Sequence, residues 1–146
     1  GGAATDEPGL VEAIEELGAL VVADTLCFGA RAYKPLLDGP VESDDLLQAL
    51  AETYLRGCRC PRMYDEFDGR LAYVQEALAS ARADGVILVN NKFCDLHGFD
   101  NAHLRMRLES DGVPVLSLEK EYGSPSDHGR MRTRVQAFLE SIGGAR

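Results

Sequence analysis

Basic residues are scarce in this sequence: 15 Lys and Arg stand against 24 Asp and Glu, a net charge of −9. A nucleic-acid-binding surface needs a basic stripe to neutralise phosphates, so that class is excluded. A small anionic ligand is not, because a few arginines can still converge in one cleft. Long apolar runs are missing too. No stretch approaches the roughly 20 residues of a membrane helix, and no charged-then-apolar signal opens the chain. Cysteine is sparse, with Cys27, Cys58, Cys60 and Cys94 spread over 146 residues. That is too few for a disulfide scaffold and fits reduced thiols in the cytoplasm. There is no Walker loop, no GxGxxG, no serine nucleophile elbow and no internal repeat.

What is present is an alternation of strand and helix patterns. With 45% hydrophobic residues, the chain is expected to form a single α/β domain over residues 1–146 with one core. Ala19–Ala23, Val86–Val89 and Pro114–Leu118 are short runs bounded by Gly, Asp or Asn, and they read as buried parallel strands. Helical stripes lie between and around them: Leu10, Ile14 and Leu17; Leu46, Leu47, Leu50 and Tyr54; Leu71, Val74 and Leu78; Leu104 and Leu108; Met131, Val135, Phe138 and Ile142. Ser43 with Asp44 and Asp45 starts the second helix. Ser124-Pro125 starts the last, which Gly143 and Gly144 end. Leu37 to Val41 reads as a turn. The fold class is a three-layer, mostly parallel sheet with helices on both faces, flavodoxin- or Rossmann-like. Gly1-Gly2-Ala3-Ala4-Thr5-Asp6 resembles a glycine loop that leaves a strand for a helix, and no strand precedes it. The domain is therefore expected to lack its first strand and to be the carboxy-terminal part of a longer subunit; a cloned glycine-alanine leader is the alternative.

Lys92-Phe93-Cys94-Asp95 follows the second strand, on the edge where open α/β sheets bind ligands. A loop cysteine just before a helix, capped by Asp100 or Asn101, can be held as thiolate by the helix amino terminus and by Lys92. On these grounds alone an inert cysteine is the commoner outcome. Cys58-Arg59-Cys60-Pro61-Arg62 sets two thiols among arginines, but zinc pairs are usually spaced by two to four residues. Cys60 is the better metal candidate of the two. Cys27 falls beyond the first strand, on the same edge as Cys94, where an apolar loop role is the plain alternative to ligation. Leu26, Cys27, Phe28, Lys92 and Phe93 are candidates to line the substrate cleft. His97, His103 and His128 show no metal spacing, although Cys94 and His97 could join Cys58 and Cys60 around zinc. Arg130, Arg132 and Arg134 are expected in solvent.

Taken together, the motifs resemble the 2-hydroxyacyl-CoA dehydratase and benzoyl-CoA reductase family, specifically the carboxy-terminal domain of its cluster-bearing subunits. The resemblance runs from Ile14-Glu15-Glu16-Leu17-Gly18 and Val22–Arg31 through Ala51–Leu55, Cys60-Pro61-Arg62-Met63, Asp84-Gly85-Val86-Ile87 and Lys92–Asp95. It ends in Leu118–Pro125 and Arg132–Glu140. Glu119 to Pro125 leans towards the aromatic-ring reductase branch. The resemblance implies a [4Fe–4S] cluster held by three cysteines, with Cys94 the ligand from this domain and the other two upstream of it. It also implies an acyl-CoA substrate, a homologous second subunit in a heterodimer-like assembly, and an ATP-dependent activator or other low-potential electron donor. The chemistry would be one-electron and radical, through a ketyl-type anion at the thioester carbonyl. A non-catalytic iron–sulfur redox protein and an α/β binding module are the competing expectations.

Overall fold

The computed structural model describes residues 8–37, 44–57, 59–63, 66–121 and 127–143. Two parallel strands lie at its centre, β1 (Val86–Asn91) and β2 (Val115–Lys120), in register from Val86 opposite Val115 to Asn91 opposite Lys120. The helices are α1 (Pro8–Glu16), α2 (Ala30–Leu37), α3 (Leu46–Arg56), α4 (Phe67–Ala81), α5 (Asp95–Ser110) and α6 (Asp127–Gly143). None of them is long and apolar enough to cross a membrane.

Side chains alternate across a strand, and here the alternation sorts β1 and β2 between two cores. Leu88 packs with Leu71 and Val74 of α4 and with Leu104 and Leu108 of α5, and Val86 and Val115 close that cluster. On the opposite face Leu118 packs with Ile14 of α1 and Val135 of α6, alongside Ile87, Val89 and Leu116. Both strand faces are thus covered, which is why β1 and β2 read as nearly unbroken apolar runs. The three-layer α/β class expected from the sequence is the observed one. The inward residues of α1, α4, α5 and α6 are those of the helical stripes.

Residues 19–26 differ from expectation. Among the described residues they join no ladder, and the sheet order is β1–β2 alone. A strand exists only through a neighbour that takes its N–H and C=O groups, and none lies beside them. Instead residues 19–26 and Val86–Val89 of β1 line a common cavity of about 810 Å³. The α3 stripe also departs from expectation: Leu46, Leu47, Leu50 and Tyr54 lie on an exposed helix with no buried residue. Asp45 caps α3, accepting from the N–H groups of Leu47 and Gln48 at 3.0 and 3.1 Å. The expected roles of Gly1–Asp6, Ser43, Ser124, Pro125, Gly144 and most of 37–41 fall outside the described residues.

Candidate functional site

Cys94 is the N-cap residue of α5, directly past the carboxyl end of β1, and its side chain is half-buried. The turn that carries it is tightly built. The N–H of Lys92 donates to the Lys120 carbonyl (2.7 Å), that of Cys94 to the Asn91 carbonyl (3.1 Å), and that of Gly98 to the Cys94 carbonyl (2.8 Å). Phe93 holds φ +63° and is 90% exposed. A left-handed conformation costs a residue with a Cβ about 1–2 kcal/mol. The chain accepts that strain while leaving an aromatic ring in solvent, next to the thiol.

Two expectations about this turn are corrected. Asp100 and Asn101 are not the cap; they lie in the second turn of α5, and Cys94 itself takes the N-cap position without a side-chain capping bond. The Lys92 ammonium turns to Glu121 at 2.6 Å, and that hydrogen bond raises its pKa above the ordinary lysine value.

Cys27 lies in a loop organised by Asp24. One carboxylate oxygen accepts from the Leu26 N–H (2.9 Å) and the Ala30 N–H (3.2 Å), which ties the loop to the first turn of α2. Gly29 is required by this arrangement, since a Cβ there would fall 1.7 Å from the Asp24 carboxylate. Leu26 lines the cavity, whereas Phe28 is 75% exposed.

Two arginines gather the pieces. Arg31 of α2 donates to the Cys27 sulfur (2.9 Å) and to the Arg59 carbonyl (3.0 Å). Arg70 of α4 donates to the Cys60 carbonyl (3.3 Å) and, through Nε and Nη2, to Asp100 of α5 at 3.0 and 2.6 Å. The Cys27 loop, the Cys60 loop and the amino-terminal part of α5 are therefore one polar network, and the Arg70–Asp100 pair at its heart is about 90% buried. His97, between Cys94 and Asp100 on α5, has its pKa lowered by burial, with Asp100 opposing the shift. The Phe67 and His103 rings stack at 3.7 Å.

The sequence reading missed Arg70 and the clamping roles of Arg31 and Asp100, the latter taken only as a cap. A signal was available for two of them. Arg70 precedes Val74 by one helical turn and Asp100 precedes Leu104 likewise, so each extends an apolar stripe with a charge on the inward face. Such charges are buried only as pairs.

The network ties the Cys27 and Cys60 loops to α5, the helix that Cys94 precedes. Among the described residues no three His, Cys, Asp or Glu side chains are grouped to hold a metal ion. The zinc arrangement of Cys94 and His97 with Cys60 is therefore not assembled, and Cys58 lies outside the described residues. Fitted against an iron–sulfur cluster, these residues offer single thiols and not a ligand set. Arg132 and Arg134 are exposed, as expected, bonding Glu16 and the Ser117 carbonyl.

Comparison with known proteins adds to this geometry. The family described as 2-hydroxyglutaryl-CoA dehydratase, D-component, matches residues 2–142. The candidate dehydratase subunit YjiM of Escherichia coli (strain K12) is 33% identical over 91% of this chain and 33% of its own length. The (R)-phenyllactyl-CoA dehydratase beta subunit of Clostridium sporogenes is 28% identical over 97% of this chain and 36% of its own. For the (R)-2-hydroxyglutaryl-CoA dehydratase subunit beta of Acidaminococcus fermentans the values are 26%, 92% and 36%. The chain spans about a third of the length of these relatives.

Proposed function

Because the chain belongs to the 2-hydroxyglutaryl-CoA dehydratase D-component family, we propose that it is a segment of a 2-hydroxyacyl-CoA dehydratase subunit. The segment works beside a second, homologous subunit on an acyl-CoA thioester. The observation that carries this reading is the nearly end-to-end match, residues 2–142, to a dehydratase family. The relatives named above as dehydratase subunits support the dehydratase branch over the ring-reductase branch.

Within that function the residues of this chain have a positioning task. The sheet fixes β1, β1 fixes the turn at 92–94, and the turn fixes the Cys94 thiol at the strand edge where ligands bind in α/β folds. Arg31 and Arg70 hold the Cys27 and Cys60 loops against that edge. We assign to Cys94 the thiol that this segment contributes to an iron–sulfur cluster, whose remaining protein ligands lie outside the described residues. Such a cluster would supply single-electron chemistry. With one ligand in hand, no step through it follows from this chain. An ATP-dependent activator or another low-potential donor belongs to the same proposal.

The test is turnover by the full-length subunit assembled with its partner under anaerobic conditions. Formation of 2-enoyl-CoA from an (R)-2-hydroxyacyl-CoA is the expected result. Reduction of an aromatic acyl-CoA without dehydration would move the assignment to the reductase branch, and cluster content without either activity would leave an electron carrier.

A further inference from the structure

The cavity of about 810 Å³ is apolar along most of its walls, but one end is not. Arg31 of α2, Arg59 of the Cys60 loop, Arg70 of α4 and His97, Asp100 and Asn101 of α5 line that end. The Arg70–Asp100 pair and the bond from Arg31 to the Arg59 carbonyl tie these walls together. It is also the end at the start of α5, hence at the carboxyl edge of β1, where open α/β sheets take their ligands. We propose that this polar end is an oxyanion subsite, taking a carboxylate or phosphate group, with Arg31 and the Asn101 amide as its donors.

Two separate imbalances select an anion as occupant. The first is of charge. Arg59 is paired with Glu66 at 2.8 Å and Arg70 with Asp100 at 2.6 Å. Arg31 differs: it bonds the Cys27 sulfur and the Arg59 carbonyl, and among the described residues it forms no ion pair with a carboxylate. The Asp24 carboxylate, which also lines the cavity, turns instead to the Leu26 and Ala30 N–H groups. A guanidinium has five N–H donors, and a charge drawn out of water is stabilised by an opposite one. The second imbalance is of hydrogen bonding. Nδ2 of Asn101 is buried and, among the described residues, has no acceptor, whereas buried donors in folded proteins are nearly always satisfied. Both groups thus lack the same thing, an oxygen acceptor, and both line one cavity. His97 shares the α5 wall with Asn101. Burial lowers its pKa, the charges of Arg31 and Arg62 add to the shift, and Asp100 opposes it. The Arg31 charge is therefore felt at α5, across the same end of the cavity. Acyl-CoA chemistry offers two sources of the oxyanion: the distal carboxylate of a dicarboxylic acyl group, as in the 2-hydroxyglutaryl name of one relative, and the phosphates of coenzyme A. The choice between sources rests on the dehydratase reading; the subsite itself does not.

Asn101→Asp tests the subsite, because it keeps the side-chain shape and puts a negative charge where the donor was. Titration calorimetry of glutarate and of coenzyme A into the full-length subunit reads it. For at least one of the two, Kd is expected to weaken about tenfold or more in Asn101→Asp, with Arg31→Gln weakening the same ligand. Should Asn101→Asp fail to fold by circular dichroism, Asn101→Leu carries the test, with an expected loss of roughly threefold or more. Turnover by the assembled enzyme then names the source. A preference for (R)-2-hydroxyglutaryl-CoA over (R)-phenyllactyl-CoA that Asn101→Asp abolishes assigns the carboxylate. A preference for a coenzyme A thioester over its pantetheine counterpart that Asn101→Asp abolishes assigns the phosphates. Either ratio is insensitive to damage that lowers both activities alike. Absence of saturable binding of both ligands to the wild type, or binding unchanged in the variants, would overturn the proposal. Anion binding that depends on Asn101 in an assembly without dehydratase turnover would keep the subsite and remove the dehydratase reading.

Discussion

Residues 67–143 and residues 19–57 are both striped with leucine and valine, and they meet different fates. In the first region Leu108, Leu118 and Val135 are at most 1% exposed. In the second, Leu20 is 72% and Leu47 80% exposed, and α3 buries nothing. The first region, joined by α1, makes a sandwich: two paired strands with α4 and α5 on one side and α1 and α6 on the other. In the second, residues 19–26 line a cavity of about 810 Å³. Apolar pattern decides which face of an element can be buried, and only a completed layer decides whether it is.

The comparison can be broken most severely at its electrostatic joint. Arg70→Ala leaves Asp100 buried without its cation, an expected loss of about 3–5 kcal/mol in urea unfolding. Arg70→Met combined with Asp100→Leu should recover most of it, and a double variant as weak as the single one would show that the charges matter beyond pairing. Leu108→Ala, in the packed region, should cost about 2–5 kcal/mol, whereas Leu47→Ala should stay within about 0.5 kcal/mol. Similar costs at the two positions would mean that α3 is covered in solution. Asp24→Ala removes the carboxylate that binds the Leu26 and Ala30 N–H groups and should cost about 1 kcal/mol. That loss should come with faster exchange across residues 26–31. The smallest effect concerns pH. The His97 pKa is lowered in the fold by burial, so the unfolded chain takes up the proton first as pH falls. Its contribution is present above the ordinary histidine value near 6.5 and is lost as pH drops through the folded value. His97→Gln should flatten the stability profile over that interval, and an unchanged profile would place the titration elsewhere.

Much of the packed region was legible beforehand because its signals are local. Short, nearly unbroken apolar runs gave β1 and β2, and period-3.6 stripes gave α1, α4, α5 and α6 their inward faces. Helix α2 escaped notice because it has eight residues with Pro35 inside, too little pattern to outweigh a helix breaker. Ala19–Ala23 read as a strand because its composition is that of one; pairing, which makes a strand, is non-local and absent from composition. At the candidate site the position of Cys94 followed from strand-then-cysteine order alone. The Arg31 and Arg70 clamps, reaching 28 and 30 residues along the chain to Arg59 and Asp100, are tertiary contacts that no spacing encodes.

Iron and acid-labile sulfide in the anaerobically purified full-length subunit, measured for wild type, Cys94→Ser, Cys27→Ser and Cys60→Ser, bear most directly on the role given to the β1 edge. Loss of most iron and of the associated visible absorption in Cys94→Ser alone is the predicted result, with the other two variants close to wild type. An unchanged cluster content in Cys94→Ser would contradict the assignment.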